Sequence, residues 1–225
     1  MKNLKNILSA LLLSTILIST DFAQKLEKKD FLYSNKFSIL FGVIQPALLK
    51  GFNVELNYFT KRMSFDYSHG ISLDPATVGK YKEQNLAFNL PYSTGFGVGY
   101  RFTSFLDLRF EPKLHSWKIY DKDDVQNNTT LITSFRTITL GLGLYYRYMP
   151  FKNSESKLLQ GITTTANIRW WQNVGTTLSG DKFTYTNKKT GNEETLKAPN
   201  VGIANTPIVF NLGIGYTFGD RKSVV

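Results

Sequence analysis

The sequence predicts an all-β chain: an eight-stranded antiparallel up-and-down β-barrel that crosses a membrane. Three observations predict it. Eight segments alternate apolar and small or polar residues with period two, the connectors between them alternate short and long, and aromatic residues gather at the segment ends. Residues 137–149, "TITLGLGLYYRYM", show the pattern. Ile138, Leu140, Leu142 and Leu144 fall on one face, and Thr139, Gly141, Gly143 and Arg147 on the other. Such a period places two unlike faces on a strand. A face of threonine, glycine and arginine suits the cramped inside of a barrel better than a broad wet surface. Hydrocarbon satisfies no backbone polar group, so a sheet spans it only as a closed barrel.

The segments run in order. The first is about 36–46, with Phe37, Ile39, Phe41 and Val43 on its apolar face. The second, about 51–59, sets Phe52, Val54, Leu56 and Tyr58 against Asn53, Glu55 and Asn57. The third, about 63–73, sets Phe65, Tyr67 and Ile71 against Ser64, Asp66 and Ser68. The fourth, about 92–102, sets Phe96, Val98 and Tyr100 against Gly95, Gly97, Gly99 and Arg101. The fifth, about 106–119, sets Leu106, Leu108 and Phe110 against Asp107, Arg109 and Glu111. Pro112 then interrupts it, and Trp117 and Ile119 are out of phase with Leu114, which predicts a bulge there because proline cannot donate to a ladder. The sixth contains 137–149, the seventh is about 160–174, and the eighth is about 207–218, with Ile208, Phe210, Leu212, Ile214 and Tyr216 on its apolar face. Strands of about 9–11 residues suffice to cross a bilayer.

The first connector, near 47–50, is short and breaks the trend; after it, 60–62 and 103–105 are short and 150–158 fairly short, whereas 74–91, 121–131 and 175–206 are longer. Transmembrane barrels keep tight turns on the periplasmic side and long loops outside. With the N-terminus in the periplasm, every long connector lies outside. Tyr58, Tyr100, Phe102, Phe105, Tyr146, Tyr148, Tyr216 and Phe218 then fall near the periplasmic ends, and Trp117, Tyr120, Trp170 and Trp171 near the outer ends. Both groups fit interfacial girdles.

Residues 1–23 read as a cleaved signal peptide, with Lys2 and Lys5 ahead of an apolar Ile7–Ile18 stretch and Ala23 before the cut. Residues 24–35 read as a periplasmic N-terminal linker, 36–218 as the barrel and 219–225 as a short tail. The chain has no cysteine and two histidines, which excludes disulfides, thiolate metal sites and a cysteine nucleophile and argues against any cofactor or metal. The formal charge of +10 is scattered without a long basic run, so no nucleic-acid partner is expected.

The signal peptide, the eight dyad-patterned segments and the closing "VFNLGIGYTF" together make the chain resemble the small eight-stranded outer-membrane proteins of the OmpA-barrel, OmpX and OmpW kind. The resemblance covers about 36–218. It implies residence in the outer membrane of a Gram-negative bacterium, insertion by the barrel-assembly machinery, and contact with outer-membrane lipid and lipopolysaccharide.

The inward parity gathers Glu55, Asp66, Asp107 and Glu111 with Arg101, Arg109, Arg147 and Arg169. Buried charges are costly alone, so these should pair across strands and fill the lumen. A barrel of this size is just wide enough for its own side chains. In the longest connector, "FTYT" and "EETL" flank Thr190–Gly191–Asn192 and predict a hairpin whose Lys188 and Lys189 could meet phosphates or an extracellular ligand. The expected role is structural or surface-interaction, without catalysis. A narrow channel is the alternative. A lipid A deacylase-like enzyme built on His69 or His115 is the second, although neither histidine has the close His-x-Ser spacing of those enzymes.

Overall fold

The computed structural model describes residues 35–74, 84–122 and 124–219. The signal peptide, the linker up to residue 34 and the tail from residue 220 lie outside the described residues.

Among the described residues there are ten strands: β1 (Lys36–Gly42), β2 (Phe52–Phe59), β3 (Met63–Leu73), β4 (Leu86–Arg101), β5 (Leu106–Asp121), β6 (Leu131–Tyr148), β7 (Ile162–Thr176), β8 (Lys182–Thr186), β9 (Glu193–Lys197) and β10 (Ile208–Gly219). Eight of them close an antiparallel barrel in the order β1-β10-β7-β6-β5-β4-β3-β2, while β8 and β9 form a separate hairpin. The seam is sealed by β1 against β10, from Lys36↔Gly219 to Gly42↔Gly213. Both described chain ends and the tight turns lie at one end of the barrel, the short-turn end. The long connectors and the hairpin lie at the other, the long-loop end.

Alternation decides which side chains enter the lumen. Along β6, Phe135, Thr137, Thr139, Gly141, Gly143, Tyr145 and Arg147 are buried. Their neighbours Ile138, Leu140, Leu142, Leu144 and Tyr148 are exposed on the outside. Glycine recurs on the inner face where a neighbour needs the room. A Cβ at Gly141 would lie 2.1 Å from the Trp171 ring and 2.5 Å from the Trp170 carbonyl. Gly141→Ala is therefore expected to cost about 1–3 kcal/mol by overpacking a rigid indole against backbone. Denaturant unfolding of the refolded barrel, followed by tryptophan fluorescence, measures it.

Four expectations need correction. First, β4 starts at Leu86, so the connector expected at 74–91 ends at residue 85. The alternation was hidden because the β4–β5 register shifts by one residue between Asn89 and Tyr92, which flips the parity of everything beyond. Second, there is no register shift at Pro112. The β4–β5 ladder pauses there and resumes in the same register, from Gly95↔Lys113 to Val98↔Phe110, and Pro112 pairs with Leu140 of β6 without a shift. Third, Trp117 and Ile119 keep the inward parity of Asp107 and Glu111 and are fully buried; it is the interior that changes from polar to apolar, not the strand that slips. Tyr120 and Trp171 are also buried, leaving Trp170 as the exposed tryptophan of the expected outer girdle. Fourth, β1 ends at Gly42 and is followed by a short helix, α1 (Ile44–Leu48), so Val43 is not a strand residue.

Candidate functional site: the lumen and its hairpin cap

The lumen is built in two layers. The layer nearer the short-turn end is a charged network centred on Arg109 of β5. Its Nη1 donates to Glu55 Oε1 at 3.1 Å, Asp66 Oδ2 at 3.2 Å and Asn57 Oδ1 at 2.6 Å, and its Nε donates to Asp107 Oδ2 at 3.0 Å. Its guanidinium lies 3.8 Å over the Tyr145 ring, a cation–π contact away from bulk water. Arg169 of β7 donates to Glu55 Oε2 at 3.2 Å across the barrel. Glu111 accepts from the Tyr145 hydroxyl and, at 3.0 Å, from Trp171 Nε1. Arg147 stacks 3.5 Å over Phe59, and Arg101 donates to the Thr60 carbonyl. All eight residues that the alternation assigned to the lumen are buried there.

One cation of the network escaped the sequence reading. Lys113 is buried beyond Pro112, donates to Ser68 Oγ at 2.5 Å, and lies 3.7 Å from both Asp66 and Glu111. The expected bulge had thrown its parity into doubt; counting straight through the proline would have found it. The layer thus holds Arg101, Arg109, Lys113, Arg147 and Arg169 against Glu55, Asp66, Asp107 and Glu111. Buried charges are tolerated only with partners of this kind.

Above this layer His115 is fully buried, its Nδ1 2.8 Å from Ser93 Oγ and its Nε2 3.0 Å from Thr139 Oγ1. The next turn of the barrel is apolar. Leu73, Leu86, Phe88, Leu90, Trp117, Ile119 and Phe135 form a cluster capped from above by Phe183 and Tyr185 of β8. The rings run as a chain, with Phe88–Trp117, Trp117–Phe135 and Phe135–Phe183 centroids at 6.3, 6.1 and 6.0 Å. The hairpin expected in the longest connector therefore exists, but it folds down over the barrel mouth. Alternation again explains this: Phe183 and Tyr185 face the barrel while Lys182, Thr184 and Thr186 face out.

Polar contacts hold the cap in place. The Tyr185 hydroxyl sits 2.7 Å from Glu194 Oε2 and 2.9 Å from the Gln84 carbonyl. Burial and the neighbouring Glu194 push the Tyr185 phenol well above its ordinary value. The hydrogen bonds from Tyr185 and Asn187 hold the Glu194 carboxyl below its ordinary value. Lys188 does not project freely. Its Nζ lies 2.7 Å from Asp124 Oδ2 and 3.0 Å from Asp121 Oδ2, hydrogen bonds that raise its pKa. Lys189 is exposed beside it.

His69 lies on the outer face between Tyr67 and Tyr92, with ring centroids 6.5 and 6.4 Å away. Among the described residues, no group of three or more His, Asp or Glu is arranged to hold a metal ion.

No known family model matches the chain, and no curated protein does. Among solved structures, it is similar to a major outer membrane protein from Thermus thermophilus, with 12% identity and a TM-score of 0.40 over 82% of this chain and 99% of that one. It is also similar to Ail, the attachment invasion locus protein of Yersinia pestis, with 13% identity and a TM-score of 0.36 over 82% of this chain and 97% of that one.

Proposed function

We infer that the chain is an integral outer-membrane β-barrel with a structural or surface-interaction role exerted at its long-loop end. One observation carries this reading: the barrel is inside out. Glu111, His115 and Thr137 are fully buried, while Phe41, Phe110, Leu142, Ile168 and Ile214 are each more than 40% exposed. A soluble fold does the reverse, because burying apolar surface is what drives its collapse. Here the exposed aliphatic rows would themselves be buried by lipid.

The borders of the apolar surface agree. Tyr58, Tyr100, Phe102, Tyr148 and Phe218 are exposed around the short-turn end. Arg62 donates to the Tyr100 hydroxyl at 2.6 Å, the wet edge expected of an interfacial tyrosine. Toward the long-loop end, β6 passes from Ile138 to exposed Arg136 and Ser134. The short-turn end would thus face the periplasm, and insertion would use the barrel-assembly machinery.

The packed interior supports a closed barrel over the channel alternative. Phe59, Glu111, His115, Trp117 and Phe88 are each almost wholly inaccessible at successive levels of the lumen. Ion-pair layer, histidine layer, aromatic layer and hairpin follow one another along the axis. For the enzyme alternative, the only histidine bonded to a serine hydroxyl among the described residues is His115, which is sealed inside and has Thr139, not a carboxylate, on its other nitrogen. A nucleophile needs an accessible hydroxyl and an oriented base, so the reading stays non-catalytic. Extracellular contact would fall to the exposed hairpin face, to Lys189 and to the lipopolysaccharide around it, rather than to Lys188.

The test is reconstitution of the full chain into lipid vesicles and planar bilayers. The expected result is stable insertion with no steady single-channel steps. Well-resolved steps that shrink on changing Arg101 or Arg147 would replace this reading with the channel, and a monomer that stays in solution without detergent would remove the membrane altogether.

A further inference from the structure

The β8–β9 hairpin sits on the barrel mouth without sharing its ladder: among the described residues, no barrel strand pairs with β8 or β9. Both segments that join it to the barrel turn through left-handed backbone. Gly180 and Asp181 have φ of 62° and 58° just before β8, and Ala204 and Asn205 have φ of 51° and 61° shortly before β10. Glycine takes this conformation freely and asparagine at little cost, but an alanine held there is strained. Of the six non-glycine residues with positive φ in the described chain, three lie at these two roots. The Ala198 amide donates to the Asp181 carbonyl at 2.9 Å, which closes the base of the hairpin and keeps its two strands together.

Two kinds of contact hold the hairpin down against the strained roots. Beneath it, Phe183 and Tyr185 cover the apolar layer that includes Trp117, Ile119 and Phe135, with Leu196 of β9 packed beside them. At its tip, Lys188 Nζ lies 3.0 Å from Asp121 Oδ2, at the end of β5, and 2.7 Å from Asp124 Oδ2. The lysine side chain is 58% exposed. An ion pair this open to water is weak and is screened by salt. It also sits at the end of the hairpin farthest from the roots, where a weak contact has the longest lever arm.

We propose that the hairpin is a hinged, latched lid: it swings as a unit about residues 180–181 and 204–205, is fastened by Lys188 to Asp121 and Asp124, and on opening uncovers Trp117, Ile119 and Phe135. Opening relaxes the backbone at the roots and returns three charged groups to water, while it exposes the rings. The rings keep the closed state dominant, and the latch sets how often it opens. Strained residues at the two ends of a moving element are what a hinge requires. The lid goes beyond the membrane reading and does not depend on what surrounds the barrel.

The experiment is thiol labelling of the full chain refolded in detergent. The chain has no cysteine, so Ile119→Cys places a single thiol beneath the lid. Its rate of reaction with a small uncharged maleimide reads opening. In that background Lys188→Gln should speed labelling about two- to fivefold, the worth of a partly exposed ion pair. Raising the salt from about 0.05 M to about 1 M should speed labelling when Lys188 is present and have no effect on Lys188→Gln. Ala204→Gly, which removes strain from one root and leaves the closed contacts intact, should slow labelling about threefold. Lys189→Gln removes the neighbouring charge but no part of the latch, and should leave the rate unchanged. Hydrogen exchange on the cysteine-free chain supplies a second reading. The amides of β8 and β9 should exchange together, faster in Lys188→Gln, with those of β5 and β6 unaffected. The proposal is overturned if labelling ignores Lys188, Ala204 or salt, or if Lys189→Gln acts like Lys188→Gln. It is equally overturned if the hairpin amides exchange only along with the barrel strands.

Discussion

Arg109→Met is expected to destabilise the barrel by about 3–5 kcal/mol, the cost of leaving a buried ion cluster without its partner. The geometry explains why this residue stands out. Its guanidinium serves Glu55, Asp66 and Asp107 at 3.0–3.2 Å, on three different strands, and all three carboxylates are buried. Removing the cation leaves negative charges facing one another at the centre of the lumen, and Lys113 and Arg169 cannot replace it from where they are held. The loss is read from denaturant unfolding of the vesicle-embedded protein, with heat-dependent gel mobility confirming that the variant folds. Adding Asp107→Asn to Arg109→Met should recover part of the loss, because Arg109 is the cation hydrogen-bonded to Asp107, whereas Glu55 and Asp66 still face Arg169 and Lys113. A small effect of Arg109→Met alone would mean that bulk water reaches the network, and the packed-lumen description would fall with it.

Leu142→Arg is the second large effect. Leu142 is 49% exposed near the middle of the apolar stretch of β6, paired with Phe110 on one side and Trp170 on the other. On a water-facing surface such a change is worth within about 0.5 kcal/mol. In a bilayer, arginine at the midplane of a barrel costs about 2–4 kcal/mol and falls to about 0–1 near the interface. Ser134→Arg, outward on the same strand but beyond the apolar stretch, is the matched control and should be close to neutral. Urea unfolding from lipid vesicles compares the two. Equal, small effects would argue that lipid does not cover this face.

How much of this was legible in advance follows from the range of each signal. The faces of segment 137–148 agree with the alternation residue by residue, because a strand turns each side chain by half a revolution from the last and nothing distant is needed. The same local rule assigned Glu55, Asp66, Arg101, Asp107, Arg109, Glu111, Arg147 and Arg169 to the interior, where they are found. It failed at Leu86–Leu90, where a one-residue irregularity reversed the faces, and at Trp117 and Ile119, where apolar residues point inward. Apolarity alone cannot distinguish a lipid-facing side chain from one in a dry plug inside the barrel.

The sequence by itself determined the all-β class, the strand count of the barrel, the end to which each connector belongs, and which face carries charge. These follow from covalent alternation and turn length, which act over a few residues. The tertiary structure alone decided who meets whom: Arg169 with Glu55 across 114 residues of chain, Trp171 with Glu111, Lys188 with Asp121 and Asp124, and the hairpin folded onto Phe135. Those meetings depend on the register at every strand pair and on where the seam closes. A register error of one residue changes all of them while leaving the local pattern of each strand unaltered.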